Sequence, residues 1–248
     1  MTSKSNKGIT IILALFITVV LVMPFVSSCG KSGQATSAGL NIQMQVFNLA
    51  PDVQPVNLYI DYLKQSTSSF SYPSASGYFY INTIDTPIQL RSAATNIATI
   101  FFIHLDTTLK SNHKYSLYLT GLYSDNSISS ILTLDDAADT TLQGYGKIRF
   151  VNASLPTNNQ LNITINGTPA KAFTGVKYKT VTDYIQLPAG NYNFQLSQTS
   201  TPAIYLPNTS VQNITIADSR FYTIYTYGII GRATTDTSAF GAAVTTNK

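Results

Sequence analysis

The chain writes one alternating pattern twice. Val56-Asn57-Leu58-Tyr59-Ile60-Asp61 matches Leu161-Asn162-Ile163-Thr164-Ile165-Asn166 at an offset of 105 residues. Tyr78 matches Tyr184, and Ile88-Gln89-Leu90 matches Phe194-Gln195-Leu196, at 106; Tyr115–Gly121 matches Tyr222–Gly228 at 107. Single-residue loop insertions between paired strands produce such a drift. Unrelated β-rich segments would not keep three matches in order. A period near 106 residues belongs to tandem domains and not to a solenoid.

The local signal inside each unit is a period of two. Leu161, Ile163 and Ile165 alternate with Asn162 and Thr164, and Tyr192, Phe194 and Leu196 with Asn193 and Gln195. That period describes strands with one buried and one wet face. It places Leu58 and Ile163 toward the core, with Asn57, Tyr59, Asn162 and Thr164 toward water. Asn166-Gly167 suits a type I′ hairpin turn because both residues tolerate positive φ, and Pro188-Ala189-Gly190 reads as a second tight turn. Further strands are expected at Lys147–Asn152, Tyr184–Leu187, Val211–Ile216, Arg220–Tyr227 and Ala239–Val244. No segment after residue 40 keeps a 3.6-residue period. The prediction is an all-β chain of two tandem antiparallel β-sandwich domains of immunoglobulin-like type. They span 43–140 and 145–248, with the boundary in Asp135–Gly146.

The N-terminus says where such a chain lives. A basic start (Lys4, Lys7) precedes the apolar run Ile9–Phe25, and Val26-Ser27-Ser28-Cys29 holds the only cysteine. This is the layout of a secretory signal peptide. Its small-small-Cys ending resembles the lipobox of bacterial lipoproteins, which implies cleavage after residue 28 and lipidation of Cys29. The competing reading is a transmembrane anchor, since the run is close to the roughly 20 apolar residues a span needs. Residues 29–42 then read as a flexible tether, small and polar. Ten such residues reach about 35 Å when extended.

Charge and composition exclude some functions. The chain carries 15 Lys+Arg against 11 Asp+Glu, and cleavage removes Lys4 and Lys7, leaving about +2. The basic residues are scattered, unlike a nucleic-acid footprint. Charged residues make up 10%, against roughly 25% in ordinary soluble domains. Ser, Thr, Asn, Gln, 16 Tyr and 12 Phe take their place. With Cys29 lipidated, no thiol remains for a disulfide or a Cys-based metal site.

Candidate chemistry is sparse. His104 lies in the apolar run Ile100–Leu105, where a hydrogen-bonded structural role is expected, and His113 is the only other histidine. Neither is accompanied by a G-x-S-x-G nucleophile motif. Asp135, Asp136 and Asp139 form the only acidic cluster, read as a solvated interdomain loop and not as a Ca²⁺ site, which takes 6–8 oxygens. Glutamate is absent from the chain, so a carboxylate-pair hydrolase would need two Asp. The Asn-x-Ser/Thr triplets at Asn152, Asn162, Asn166, Asn208 and Asn213 are read as chance matches in an Asn- and Thr-rich bacterial chain. The tyrosines are read as strand formers, with stacking on sugars the alternative.

These residues also carry a resemblance. Lys147-Ile148-Arg149-Phe150-Val151-Asn152-Ala153-Ser154, Pro156 and Leu161–Gly167 resemble the opening V-R-x-x-H-A-S-P-D-x-P-x-V-D-V-Y-V-D-G of the repeat in the domain of unknown function 4397 family. Val46–Asp52 and Pro55–Asp61 fit the same opening, and Leu187–Tyr192 and Tyr222–Gly228 agree further on. Asn48 and Asn152 stand where that family has His; Asn57 and Asn162 replace one Asp. The resemblance implies β-sandwich repeats outside the cytoplasm and supplies no activity.

The expected protein is a non-enzymatic, lipid-anchored component of the bacterial envelope, in the outer membrane, with a binding or spacer role. It needs no cofactor and no metal. Its partners are the membrane through Cys29 and a glycan or envelope protein. A carbohydrate- or polymer-binding accessory lipoprotein is the alternative, and an Asp-dependent hydrolase the remote one.

Overall fold

The computed structural model describes residues 42–248, except 84, 94–100, 137–140, 157, 201–203 and 207–210. The signal peptide, Cys29 and nearly all of the expected tether lie outside the described residues, as does Asp139. Residues Ala38–Lys248 form one compact unit.

The first repeat contains β1 (Ile42–Asn48), β2 (Val56–Ile60), β3 (Leu63–Lys64), β4 (Ser74–Ala75), β5 (Phe79–Ile81), β6 (Ile88–Ser92), β7 (Phe101–Leu105), β8 (Lys114–Thr120) and β9 (Ser129–Leu134). One sheet has the order β4-β1-β8-β9, with β5 also on β1; the other is β3-β2-β6-β7. Between them lies a core of Ile42, Met44, Val46, Leu58, Ile60, Ile88, Leu90, Leu117 and their neighbours. The second repeat contains β10 (Tyr145–Val151), β11 (Gln160–Ile165), β12 (Thr168–Pro169), β13 (Val176–Lys177), β14 (Ile185–Pro188), β15 (Gly190–Tyr192), β16 (Phe194–Gln198), β17 (Ile204–Tyr205), β18 (Ile214–Ile216), β19 (Phe221–Tyr227) and β20 (Gly241–Thr246). Its sheets are β14-β10-β19-β20 and β12-β11-β16-β17, with a small β15-β18 pair. The second core gathers Ile148, Phe150, Leu161, Ile163, Phe194, Leu196 and Ile224. Both repeats are β-sandwiches.

The matched segments occupy matched places. Leu58 pairs with Leu90 and Ile163 with Leu196, and Leu58 and Ile163 are 0% and 1% exposed. Asn166-Gly167 turns between β11 and β12 with φ of 48° and 79°. Gly121 and Gly228, at the ends of β8 and β19, share positive φ, and a Cβ on either would strike the backbone of a facing loop, at Ser127 and Ala239 respectively. The repeated glycine is therefore a steric requirement.

Four details differ from the sequence expectation. The sandwiches are antiparallel except for one parallel pair each, β1 with β8 and β10 with β19; strands this distant in sequence have no tight turn to fix their sense. The run Tyr192–Leu196 is not one strand. It breaks at Asn193, whose backbone N–H donates to Asn166 Oδ1 at 2.9 Å and whose side-chain oxygen accepts from Asn213 N at 2.7 Å, so β15 joins β18 and β16 joins β11. Asn57 is buried, because Ser66 covers it and donates to its Oδ1 at 3.4 Å. Asp135, read as part of a solvated loop, is fully buried.

Candidate functional site

The burial of Asp135 has a cause fourteen residues along the chain. β1, β8, β10 and β19 bury both faces: one toward its own sandwich core, the other toward the neighbouring repeat. On the second face Phe47, Leu49, Tyr118 and Ile131 of the first repeat pack with Val151 and Ala153 of the second, and Tyr225 and Tyr227 lie against them. Phe47 stacks on Tyr118 at 4.4 Å and meets Tyr225 edge-on at 4.8 Å. Beside this apolar patch the Arg149 guanidinium forms an ion pair with Asp135, their side chains 5% and 0% exposed. Arg149 also donates to Leu134 O at 3.1 Å, Thr133 Oγ1 at 3.0 Å and Thr223 Oγ1 at 3.0 Å. Asp135 accepts further from Tyr78 OH and Ser116 Oγ, both at 2.6 Å, and from Thr133 Oγ1 at 2.7 Å. A charge pair taken out of water persists when its remaining donors and acceptors are satisfied in this way.

The junction contacts come in reciprocal pairs. By strand pairing Thr133 corresponds to Thr245, Asp135 to Asn247 and Gln45 to Arg149. Arg149 reaches Thr133, and Thr245 donates to Gln45 Oε1 at 3.5 Å. Tyr184 OH donates to Asp135 O at 3.1 Å, and Asn247 Nδ2 donates to Tyr78 OH at 3.0 Å. Reciprocity of this kind marks a self-complementary, two-fold interface, here made within one chain. Burial, then the Asp135 charge, raises the pKa of Tyr78 far above the ordinary tyrosine range; burial pushes Tyr184 up to about 12. Burial alone would lower the pKa of Arg149, but Tyr118, Tyr184 and Asp135 together raise it. These groups bind one repeat to the other.

The remaining candidates from the sequence separate. His113 Nδ1 lies 2.9 Å from Asp136 Oδ1. Asn48 and Asn152, standing where the family has His, are both fully buried. Asn48 donates to Phe70 O at 3.1 Å, and Asn152 to Val176 O at 2.9 Å and Asn159 Oδ1 at 2.7 Å. Asn48 thereby ties the end of β1 to Phe70, and Asn152, just after β10, ties that strand's end to β13 and to the loop holding Asn159. Asp52 accepts from the backbone of Tyr123 at 2.8 Å and Ser124 at 2.9 Å; burial opposes the ionised form, but these bonds hold its pKa below the usual value. Among the described residues no group of three or more His, Cys, Asp or Glu could hold a metal ion.

His104 belongs to a different surface, the outer face of the β3-β2-β6-β7 sheet. Lys64, Tyr59, Gln89 and His104 stand in one row across it. Gln89 Nε2 lies 2.9 Å from His104 Nδ1, and Gln89 Oε1 accepts from Arg91 Nε at 3.0 Å. The Arg91 guanidinium lies 4.2 Å from the Tyr59 ring centre and 5.8 Å from that of Tyr62. Tyr62, on the β2–β3 turn, is 60% exposed. Tyr62 and Arg91 were not singled out in the sequence. The signal was present: Tyr62 stands where the other repeat has Gly167.

Two fused β-sandwiches sharing a polar junction define the class, a tandem-repeat all-β protein. The family model described as "Domain of unknown function (DUF4397)" matches residues 42–159 and 154–246, so the chain belongs to the DUF4397 family and carries two copies of its domain. None of the curated proteins matches it. Among solved structures, a Bacteroides eggerthii protein described as a candidate cell adhesion protein aligns at 12% identity over 85% of this chain and 96% of its own, with a TM-score of 0.25. That superposition is too loose for a strand-by-strand comparison. Among the described residues no helix is long and apolar enough to cross a membrane.

Proposed function

We propose that the protein is a non-enzymatic binding component of the bacterial cell envelope, anchored by lipid on Cys29 and set off the outer membrane by the residues that follow. The observation that carries this reading is the fusion of the repeats. A buried ion pair and a shared aromatic patch join the two sandwiches in one compact unit, a form suited to presenting a face away from the anchor. The outer sheet of the first repeat, with its exposed aromatic and basic side chains, is the face we assign to binding.

Anchoring depends on one thiol. Two or more acyl chains hold a protein stably, at about 0.8 kcal/mol per buried CH₂. Cys29→Ser is expected to move the protein from the membrane fraction to the soluble fraction. Retention of the variant in membranes after a high-salt wash would mean that the run Ile9–Phe25 is itself the anchor.

A further inference from the structure

Both repeats begin at the same end of the molecule. Asp135, whose N–H donates to Lys114 O at the start of β8, accepts from Tyr184 at its carbonyl. Asn247, whose N–H donates to Phe221 O at the start of β19, donates from its side chain to Tyr78. At the opposite end Thr120, which closes β8, donates to Ala153 O at 2.6 Å, just past β10. β1 and β10 run parallel to β8 and β19, so all four strands start together. β2 runs the other way: Asn48, ending β1, donates to Phe70 O, and Phe70 is paired with Val56 at the start of β2. The tip of the β2–β3 hairpin therefore returns to the end at which the chain enters β1. There Asp61 N donates to Pro87 O at 3.1 Å and Ile42 pairs with Ile81.

The large apolar side chains left in water gather at this end. Among the described residues Tyr62 and Leu63 at the hairpin tip, Tyr80 on β5 and Leu142 before β10 are each at least 60% exposed, and Tyr123 alone represents the opposite end. Tyr80 pairs with Gln43, the second residue of β1, and Leu142 O accepts from Tyr145 N at the start of β10. Exposed apolar residues scattered singly need no explanation; a set confined to one end does. The sandwich does not require them. Strand pairing puts Gly167, Thr168 and Gln186 of the second repeat in the places of Tyr62, Leu63 and Tyr80. Tyr62 is held at φ 63°, in the left-handed region where a bulky side chain is an outlier, and Gly167 at 79° is at ease. The exposed charges beside the set are of both signs, Asp61, Asp85 and Asp218 against Lys64, Lys110 and Arg220, so neither a polyanion nor a polycation is favoured.

We propose that this end rests on the lipid bilayer, with Tyr62, Leu63, Tyr80 and Leu142 in the headgroup zone. Residues 30–41 alone separate Cys29 from Ile42, a reach of about 43 Å at most. Within that reach a weak contact is made intramolecular and is populated. Tyrosine, with an apolar body and a polar tip, suits the membrane interface, and leucine adds apolar area. The intervening residues allow the body to lift and turn; the apolar end gives it a resting position. The strands then rise from the bilayer, and the outer sheet of the first repeat faces sideways, clear of lipid. The inference rests on the N-terminal anchoring proposed above.

The chain has no tryptophan, so one introduced by substitution reports alone. The test uses the full-length chain, purified in detergent and reconstituted into phosphatidylcholine vesicles with bromine, a contact quencher, near the headgroup end of the acyl chains. Leu63→Trp should be quenched at least threefold more than Tyr123→Trp at the opposite end, and added phosphatidylglycerol should leave that ratio unchanged. Combining Leu63→Trp with Tyr62→Gly, Tyr80→Ser and Leu142→Ser should at least halve its quenching. Equal quenching of the two reporters, no quenching of either, a requirement for phosphatidylglycerol, or quenching undiminished in the combined variant would each overturn the proposal and leave the anchoring in place. Protein that does not float with the vesicles would overturn the anchoring, and this inference with it.

Discussion

The two repeats share a scaffold and differ in what faces outward from it. At the junction Asp135 corresponds to Asn247 and Gln45 to Arg149, so a two-fold arrangement carries one ion pair instead of two equal acidic sites. On the far sheets, Tyr59, Tyr62 and Arg91 correspond to Thr164, Gly167 and Ser197. The cores do not diverge in this manner: Leu58 and Ile163 remain large, apolar and buried in both. Divergence is concentrated where a repeat meets something other than itself. At the junction that partner is the other repeat.

The strongest way to break this comparison is to unbalance the junction. Asp135→Ala leaves a buried guanidinium without its carboxylate, and a loss of about 3–5 kcal/mol is expected in chemical denaturation. The double variant Asp135→Asn, Arg149→Gln gives both repeats the same uncharged pair and should recover most of that loss. If the double variant is as unstable as the single one, the ion pair is not what the junction depends on. The equivalent core positions come next. Leu58→Ala and Ile163→Ala should each cost about 2–5 kcal/mol, while Thr164→Ala, on the exposed face, should shift stability by about 0.5 kcal/mol or less. A silent Ile163→Ala with a severe Thr164→Ala would put β11 one residue out of register. The smallest effect belongs to the turns. Gly167→Tyr installs the first repeat's strain in the second, where a Cβ meets nothing within 4 Å. A cost of about 1 kcal/mol in thermal unfolding is expected from backbone strain alone; an unchanged midpoint would show that a tyrosine sits in this turn without penalty.

Much of this was legible in the sequence. Alternation found the strands, and the duplication found their correspondence, because each sandwich core needs apolar residues at every second position. Alternation could not distinguish a wet face from a buried polar one. Gln45 and Arg149 alternate with core residues yet are buried, and each makes hydrogen bonds across the junction to the other repeat. Asp135 read as a loop acid for the same reason: its partner is an arginine in the next repeat. Comparing the two copies position by position, Asp135 against Asn247 and Tyr62 against Gly167, was the signal that would have drawn attention to both surfaces.

The parallel pairing of β1 with β8 has a mechanical consequence. The chain enters the described body at Ile42, in a strand flanked by β8 on one side and by β4 and β5 on the other. Under the anchoring proposed above, a pull arriving from the N-terminal side would run along β1, and the ladder from Gln43–Lys114 to Asn48–Leu119 would resist it as parallel links loaded together, in shear. Peeling from an edge would break the same links one after another. If load leaves through the face assigned above to binding, the second repeat stands outside the line of force and braces the clamp through the junction.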